Sequence, residues 1–415
     1  MRRSKAFLFK FVIIITLCVL LPYFVSLRVL WKPFLNLIPE DTDSSGTKQR
    51  LTSSHSKRQH QNHEHGGTQT EFVLKEQSEQ FDIKTQKWEG STIKQQRQML
   101  PTRKNVIILS QGRGGSSFLG GIFNCNPQVM YWFEPLFHVG KLLNVNLFME
   151  EEPSAYKDTC VQLIDSFFKC DFSNLTKATL SELSASGFRI HSNALTSGEL
   201  CPNKPKSTRC ASFKTTLLSK ACNSYKHTVI KILSPRLPGN TFQSLQELFT
   251  QQNRYDVRFI NLIRDPRAVV YSWVESNWIK NHSDQEFRVN VHKICDSMEK
   301  NARYGLFFSP SWLKNRYKVI RYEDLVVNTV TIARELYRYT GIDWSINVDK
   351  WISDHQNGLS RVRANTNPYS LFKNATLVIN KWKTRASKEM ITVVEQICGS
   401  LMNIMGYSKW DEGDR

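Results

Sequence analysis

Six consecutive residues, Gly112, Arg113, Gly114, Gly115, Ser116 and Ser117, separate an apolar run at 106–109 from a helix-like segment at 118–123 that begins with Phe118. A strand, a glycine-rich loop and a helix in that order aim backbone N–H groups and a helix dipole at an anion. The glycines let backbone approach such a ligand without an intervening Cβ. Arg113 adds a permanent positive charge, and the serines add hydroxyl donors. The loop is not a Walker A motif, which requires Gly-Lys followed by Ser or Thr after four free positions; no lysine stands in it. A nucleotide triphosphatase or P-loop kinase would lack its phosphate lysine here. The structural alternative is a tight strand-to-helix turn.

A second basic site closes another apolar run. Arg264 follows 258–263, and Ser272 stands two helical turns further on. Asp265 followed by Pro266 is the natural start of a helix. Ligands of open α/β sheets bind at the carboxyl ends of the strands. Two anion sites at such ends suit a ligand with phosphates at both ends of a nucleoside.

The elements that must hold these residues are legible in order. Strands are expected at 106–109, 129–133, 228–233, 258–263 and 317–321, with helices at 268–278, 331–339 and 387–405. Strands alternating with helices predict a parallel sheet covered on both faces, with the folded domain at 101–410. Glu134 is expected to leave a strand lying next to the glycine-loop strand, and Tyr322, Glu323 and Asp324 to support a sheet end. Upstream, basic residues at 2, 3, 5 and 10 precede an apolar run at 11–27 with no small-residue cleavage site. This reads as a cytoplasmic tail (1–10), a signal-anchor helix (11–28) and a lumenal remainder. Residues 29–100 are polar, without apolar period, and read as a flexible stem; its four histidines read as solvated rather than metal-binding.

The chain of 415 residues carries a net charge of +19 and nine cysteines. The charge favours acidic partners, and no nucleic-acid-binding signature accompanies it. Eight cysteines follow the apolar segment with no CxxC pair. That number predicts at least two disulfides in an oxidising compartment, placed within 160–222, and speaks against zinc. Sequons at Asn174, Asn281 and Asn374 are available to lumenal glycosylation.

The runs QGRGGSSFLGGIFN, YWFEPLFHV (131–139), LIRDPRAVVYSW (262–273), VIRYEDL (319–325) and ICGSLMNIMGY (397–407), with KW near 381, stand in order over about three hundred residues. In them the chain resembles the sulfotransferases that use 3′-phosphoadenosine 5′-phosphosulfate (PAPS). It is most similar to the Golgi galactose/N-acetylgalactosamine/N-acetylglucosamine 6-O-sulfotransferases. The resemblance implies a P-loop-like parallel sheet flanked by helices and a type II Golgi membrane protein. It implies a glycan acceptor, on a glycosaminoglycan or glycoprotein, and allows a homo-oligomer. By the same resemblance, residues 113–118 form the 5′-phosphosulfate loop and Arg264 and Ser272 hold the 3′-phosphate. Arg113 and the loop N–H groups are then expected to stabilise the charge on the leaving phosphate. Glu134 is the base that takes the sugar hydroxyl proton, with His138 as the other candidate, and no metal is needed. Gly114 replaces the family's usual threonine, which leaves one hydroxyl contact open. A membrane protein that binds glycans without catalysis is the alternative from another class.

Overall fold

The computed structural model describes residues 103–149, 151–202, 210–250, 255–279, 285–356 and 375–411. These belong to one compact unit, Thr92–Arg415. The expected tail, signal-anchor and stem lie outside the described residues, as do the sequons at Asn281 and Asn374. No helix among the described residues is long and apolar enough to cross a membrane.

Five strands form one sheet: β1 (Lys104–Ser110), β2 (Val129–Phe133), β3 (His227–Leu233), β4 (Asp256–Ile263) and β5 (Tyr317–Arg321). Their order is β2-β3-β1-β4-β5, and every pairing is parallel. Strands β1 to β4 were legible as mainly apolar runs, because a sheet buried on both faces needs continuous rather than alternating apolar residues, whereas the edge strand β5, YKVIR, is half-buried and carries two charges. The structure extends β3 and β4 backwards over polar residues, since Lys104 pairs in register with both His227 and Asp256 and its Nζ lies 2.7 Å from the Asp256 carboxylate.

The connections carry helices α1 (Ser116–Asn124), α2 (Leu136–Leu142), α3 (Ser154–Lys169), α4 (Thr215–Ser224), α5 (Pro266–Glu275), α6 (Gln285–Arg303), α7 (Tyr322–Val327), α8 (Thr329–Thr340), α9 (Ala375–Arg385) and α10 (Lys388–Met405). Ile107, Leu109, Trp132, Ile230 and Phe259 face one core, where Trp132 stacks on Phe167 of α3 at 4.0 Å. Val106, Ile108, Tyr131, Val229 and Ile260 face the other, with α1 and α8. A third core joins α5, α6 and α10. Helix α5 ends at Glu275, three residues before the end expected from the sequence, and the Trp278 N–H turns back to the Trp273 carbonyl at 2.9 Å.

Three disulfides staple this frame: Cys170–Cys222, Cys201–Cys210 and Cys295–Cys398. Two fall in the expected segment; the third ties α6 to α10 through the third core. Cys125 and Cys160 are free. Cys295–Cys398 spans 103 residues of sequence, and cross-links of that length restrict the unfolded chain most in the chain-entropy account. Replacing both by alanine should lower unfolding stability by about 2–4 kcal/mol, read as a lower midpoint in chemical denaturation. An unchanged midpoint would contradict the bond.

Candidate active site

The glycine loop leaves the carboxyl end of the central strand. Within it the Gly114 N–H donates to the Gln111 carbonyl at 2.9 Å, and Arg113 and Gly115 take left-handed backbone with φ of 66° and 89°. A Cβ on Gly114 would fall 2.3 Å from Ser110 Oγ and 2.8 Å from the Gln111 carbonyl oxygen. A side chain at this place would require the Ser110 hydroxyl and the Gln111 backbone to shift. A Cβ on Gly115 would meet the Tyr322 ring at 2.2 Å. Gly115 starts α1 with no side-chain cap. The first-turn N–H groups of a helix begun this way are directed at whatever anion enters the loop.

The two anion sites expected separately are joined. Arg113 Nε donates to Ser272 Oγ at 3.0 Å, across from the loop to α5. Arg264, 6% exposed, donates to the carbonyls of Arg113 at 2.9 Å and of Val378 on α9 at 3.1 Å. Its guanidinium lies 5.2 Å over the Tyr322 ring. Among the described residues, Arg264 Nε and both polar atoms of the Gln111 amide are buried without a hydrogen-bond partner. Buried polar atoms rarely stay unpaired in folded proteins, and here they belong to Gln111, next to the glycine loop, and to Arg264, which bonds the loop's Arg113 carbonyl. Asp265 caps α5 as expected, accepting the Arg267 N–H at 2.9 Å. Arg267 is occupied by Asp265 and Glu395, so it supports structure. Glu323 accepts from the Asp265 N–H at 3.1 Å and the Tyr407 hydroxyl at 2.8 Å, which ties the end of β5 to that of β4.

Glu134 follows β2, but β2 is not the neighbour of β1, as the sequence reading had it. Strand β3 lies between them, and it contributes Lys231. The Lys231 ammonium pairs with Glu134 Oε1 and lies 3.4 Å from Ser117 Oγ. The intervening strand therefore links carboxylate and loop through one cation. The Lys231 side chain is 3% exposed. Burial lowers its pKa, and the Glu134 charge opposes that shift. Glu134 itself has φ 46°, an uncommon conformation for a residue with a Cβ. It is held there by its N–H to the Lys231 carbonyl at 2.9 Å and by the Phe137 N–H to its own carbonyl at 3.1 Å. His138 is buried, with Nδ1 3.6 Å from Glu182, and burial lowers its pKa.

The family model for the sulfotransferase domain matches residues 103–406. Carbohydrate sulfotransferase 3 of Mus musculus is 30% identical over 338 residues, covering 74% of this chain and 68% of that protein. This chain is a sulfotransferase of the carbohydrate sulfotransferase family. Carbohydrate sulfotransferase 5 of Mus musculus is 28% identical over 342 residues, covering 74% of this sulfotransferase and 82% of its relative. Carbohydrate sulfotransferase 1 of Danio rerio is 27% identical over 339 residues, with 74% and 78% covered. Among solved structures, the sulfotransferase domain of the Synechococcus PCC 7002 olefin synthase superposes with a TM-score of 0.37 at 16% identity, covering 75% of this chain and 98% of its own. A mouse sulfotransferase complexed with PAP superposes with a TM-score of 0.36 at 10% identity, covering 72% and 84%. Superpositions this weak add nothing to the family assignment.

Three basic side chains of the sulfotransferase escaped the sequence reading. Lys231 was visible as a single charge inside the apolar strand HTVIKIL, a position where an unpaired lysine is costly. Arg236 follows β3 and feels the Glu134 charge, while burial lowers its pKa. His191 comes from the segment of short turns after 185; burial lowers its pKa, Lys231 lowers it further and the Glu134 charge opposes the shift.

Proposed function

We propose that this sulfotransferase passes a sulfonate from PAPS to the 6-hydroxyl of a galactose, N-acetylgalactosamine or N-acetylglucosamine residue in a glycan. The observation that carries the reading is the line from Glu134 through Lys231 to Ser117: a carboxylate, a buried cation and a loop hydroxyl at the carboxyl end of one sheet. Glu134 takes the proton of the attacking hydroxyl. The sugar oxygen bonds to sulfur as the sulfur–oxygen bond to the 5′-phosphate breaks. Lys231, Ser117 and the N–H groups at the start of α1 receive the charge that grows on the leaving phosphate oxygen. Arg264 and Ser272, joined through Arg113, take the 3′-phosphate. Curated relatives named carbohydrate sulfotransferases support the glycan acceptor. Transfer of labelled sulfonate from PAPS to keratan, chondroitin and mucin-type acceptors tests the reading, and no product on any of them would refute it.

Arg264→Ala should weaken PAPS and 3′,5′-ADP alike, by about ten- to a hundredfold, because a charge-assisted hydrogen bond contributes about 1.5–3 kcal/mol. Isothermal titration with both nucleotides checks this, and a loss confined to PAPS would place Arg264 at the sulfonate end instead.

The charge pattern of residues 1–28 supports an N-terminus held in the cytosol and a lumenal catalytic domain, and the family resemblance supports the Golgi membrane as its place. Asn174, exposed in the structure, should then carry a glycan. A glycosidase-dependent mobility shift that disappears in Asn174→Gln is the expected result; unglycosylated Asn174 in secretory-pathway protein would count against it.

A further inference from the structure

Four aromatic rings form a wall beside Glu134. Phe133 directly precedes the carboxylate, and Phe137 follows it on α2. Phe188 and His191 come from a separate segment. Phe133 stacks on His191 at 4.3 Å and Phe137 on Phe188 at 4.3 Å; Phe133 and Phe188 join the two pairs at 5.8 Å. All four are only half-buried. Phe137 and Phe188 belong to none of the three cores formed by the described residues. Cations flank the wall: Lys231 Nζ lies 4.0 Å from the Phe133 ring centre and the Arg236 guanidinium 4.6 Å from that of Phe137.

The segment that carries Phe188 and His191 is fixed by its alternate residues. Arg189 is 2% exposed and donates to the carbonyls of Leu195, Ala211 and Leu200 at 2.7–2.9 Å. Ser192 is fully buried and donates to the Tyr131 carbonyl of β2 at 2.7 Å. With Arg189 and Ser192 turned inward, Phe188 and His191 are left half-exposed against Phe137 and Phe133. Four hydrogen bonds, three of them fully buried, thus hold these two aromatic rings against Phe137 and Phe133 beside Glu134.

We infer that Phe188 and His191, backed by Phe137 and Phe133 whose other faces carry Arg236 and Lys231, form a stacking platform for the acceptor sugar. The C–H face of a pyranose ring is apolar and lies flat on aromatic faces, while its hydroxyl groups remain at the edge. A sugar laid on these rings would direct its exocyclic hydroxyl toward Glu134, which is fixed between Phe133 and Phe137 in the chain. The platform orients the acceptor and takes no part in proton transfer. This inference rests on the proposed reaction at Glu134.

Phe188→Ala and Phe137→Ala should each raise KM for a keratan-type or chondroitin tetrasaccharide about three- to tenfold, the equivalent of one stacked ring. KM for PAPS and the melting temperature should stay near wild type, and Phe188→Trp should restore acceptor KM. Unchanged acceptor KM in both folded alanine variants would overturn the platform while leaving the reaction at Glu134 intact. Should wild type sulfate neither tetrasaccharide, saturation-transfer NMR with the same oligosaccharides and 3′,5′-ADP decides separately. Sugar C–H signals that are lost in Phe188→Ala support the platform. Signals that persist, or none with wild type, refute it.

Discussion

Glu134→Gln should turn over about 10²–10⁴-fold more slowly than wild type while binding nucleotide normally. The amide is nearly the shape of the carboxylate but cannot accept the hydroxyl proton. It also leaves the Lys231 ammonium, 3% exposed, without its counter-charge, so the variant should melt at a lower temperature whether or not Glu134 is the base. Melting alone therefore does not discriminate between a catalytic and a structural Glu134; turnover of the folded fraction does. A full rate would remove Glu134 from the chemistry and turn attention to His138. That residue is less suited, because it is buried against Glu182 rather than paired with the cation that reaches the loop.

Lys231→Met should be nearly as damaging, for a different reason. The substitution keeps an apolar stem of similar length and removes the cation between Glu134 and Ser117. Loss of one preorganised donor to a developing oxyanion costs about 10²–10³-fold in turnover. It also strands the Glu134 carboxylate, and removing one partner of a buried pair costs about 3–5 kcal/mol in stability. The double variant Glu134→Gln/Lys231→Met should regain much of that stability, because neither charge is left alone, and none of the activity. Activity that returned along with stability would show that the pair is merely structural.

The sheet was legible because four of its strands are mainly apolar runs, and its candidate anion sites because Arg264 and the glycine loop end such runs. Asp265-Pro266 declared the start of α5 for the same local reason. What stayed hidden depends on strand order. No local signal places β3 between β1 and β2, so Glu134 was assigned to the wrong neighbour and Lys231, which β3 carries into the gap, went unremarked. The contact of Arg113 with Ser272 spans 159 residues and likewise emerges only once β1 and β4 are paired. The aromatic wall was out of reach because Phe188 and His191 lie in a segment of short turns without period. Their orientation is set by what Arg189 and Ser192 bind. The disulfide between α6 and α10 was missed because the clustering of cysteines in 160–222 drew the expectation there.

The most direct test of the central claim is the position and the catalyst dependence of the transferred group. Wild-type enzyme given PAPS and a glycan acceptor should yield a product whose NMR spectrum carries the sulfate on the C6 oxygen, with 3′,5′-ADP released in equal amount. Glu134→Gln, loaded with nucleotide to the same extent, should yield almost none. Sulfate on a secondary hydroxyl, or equal product from the Glu134→Gln enzyme, would contradict the account.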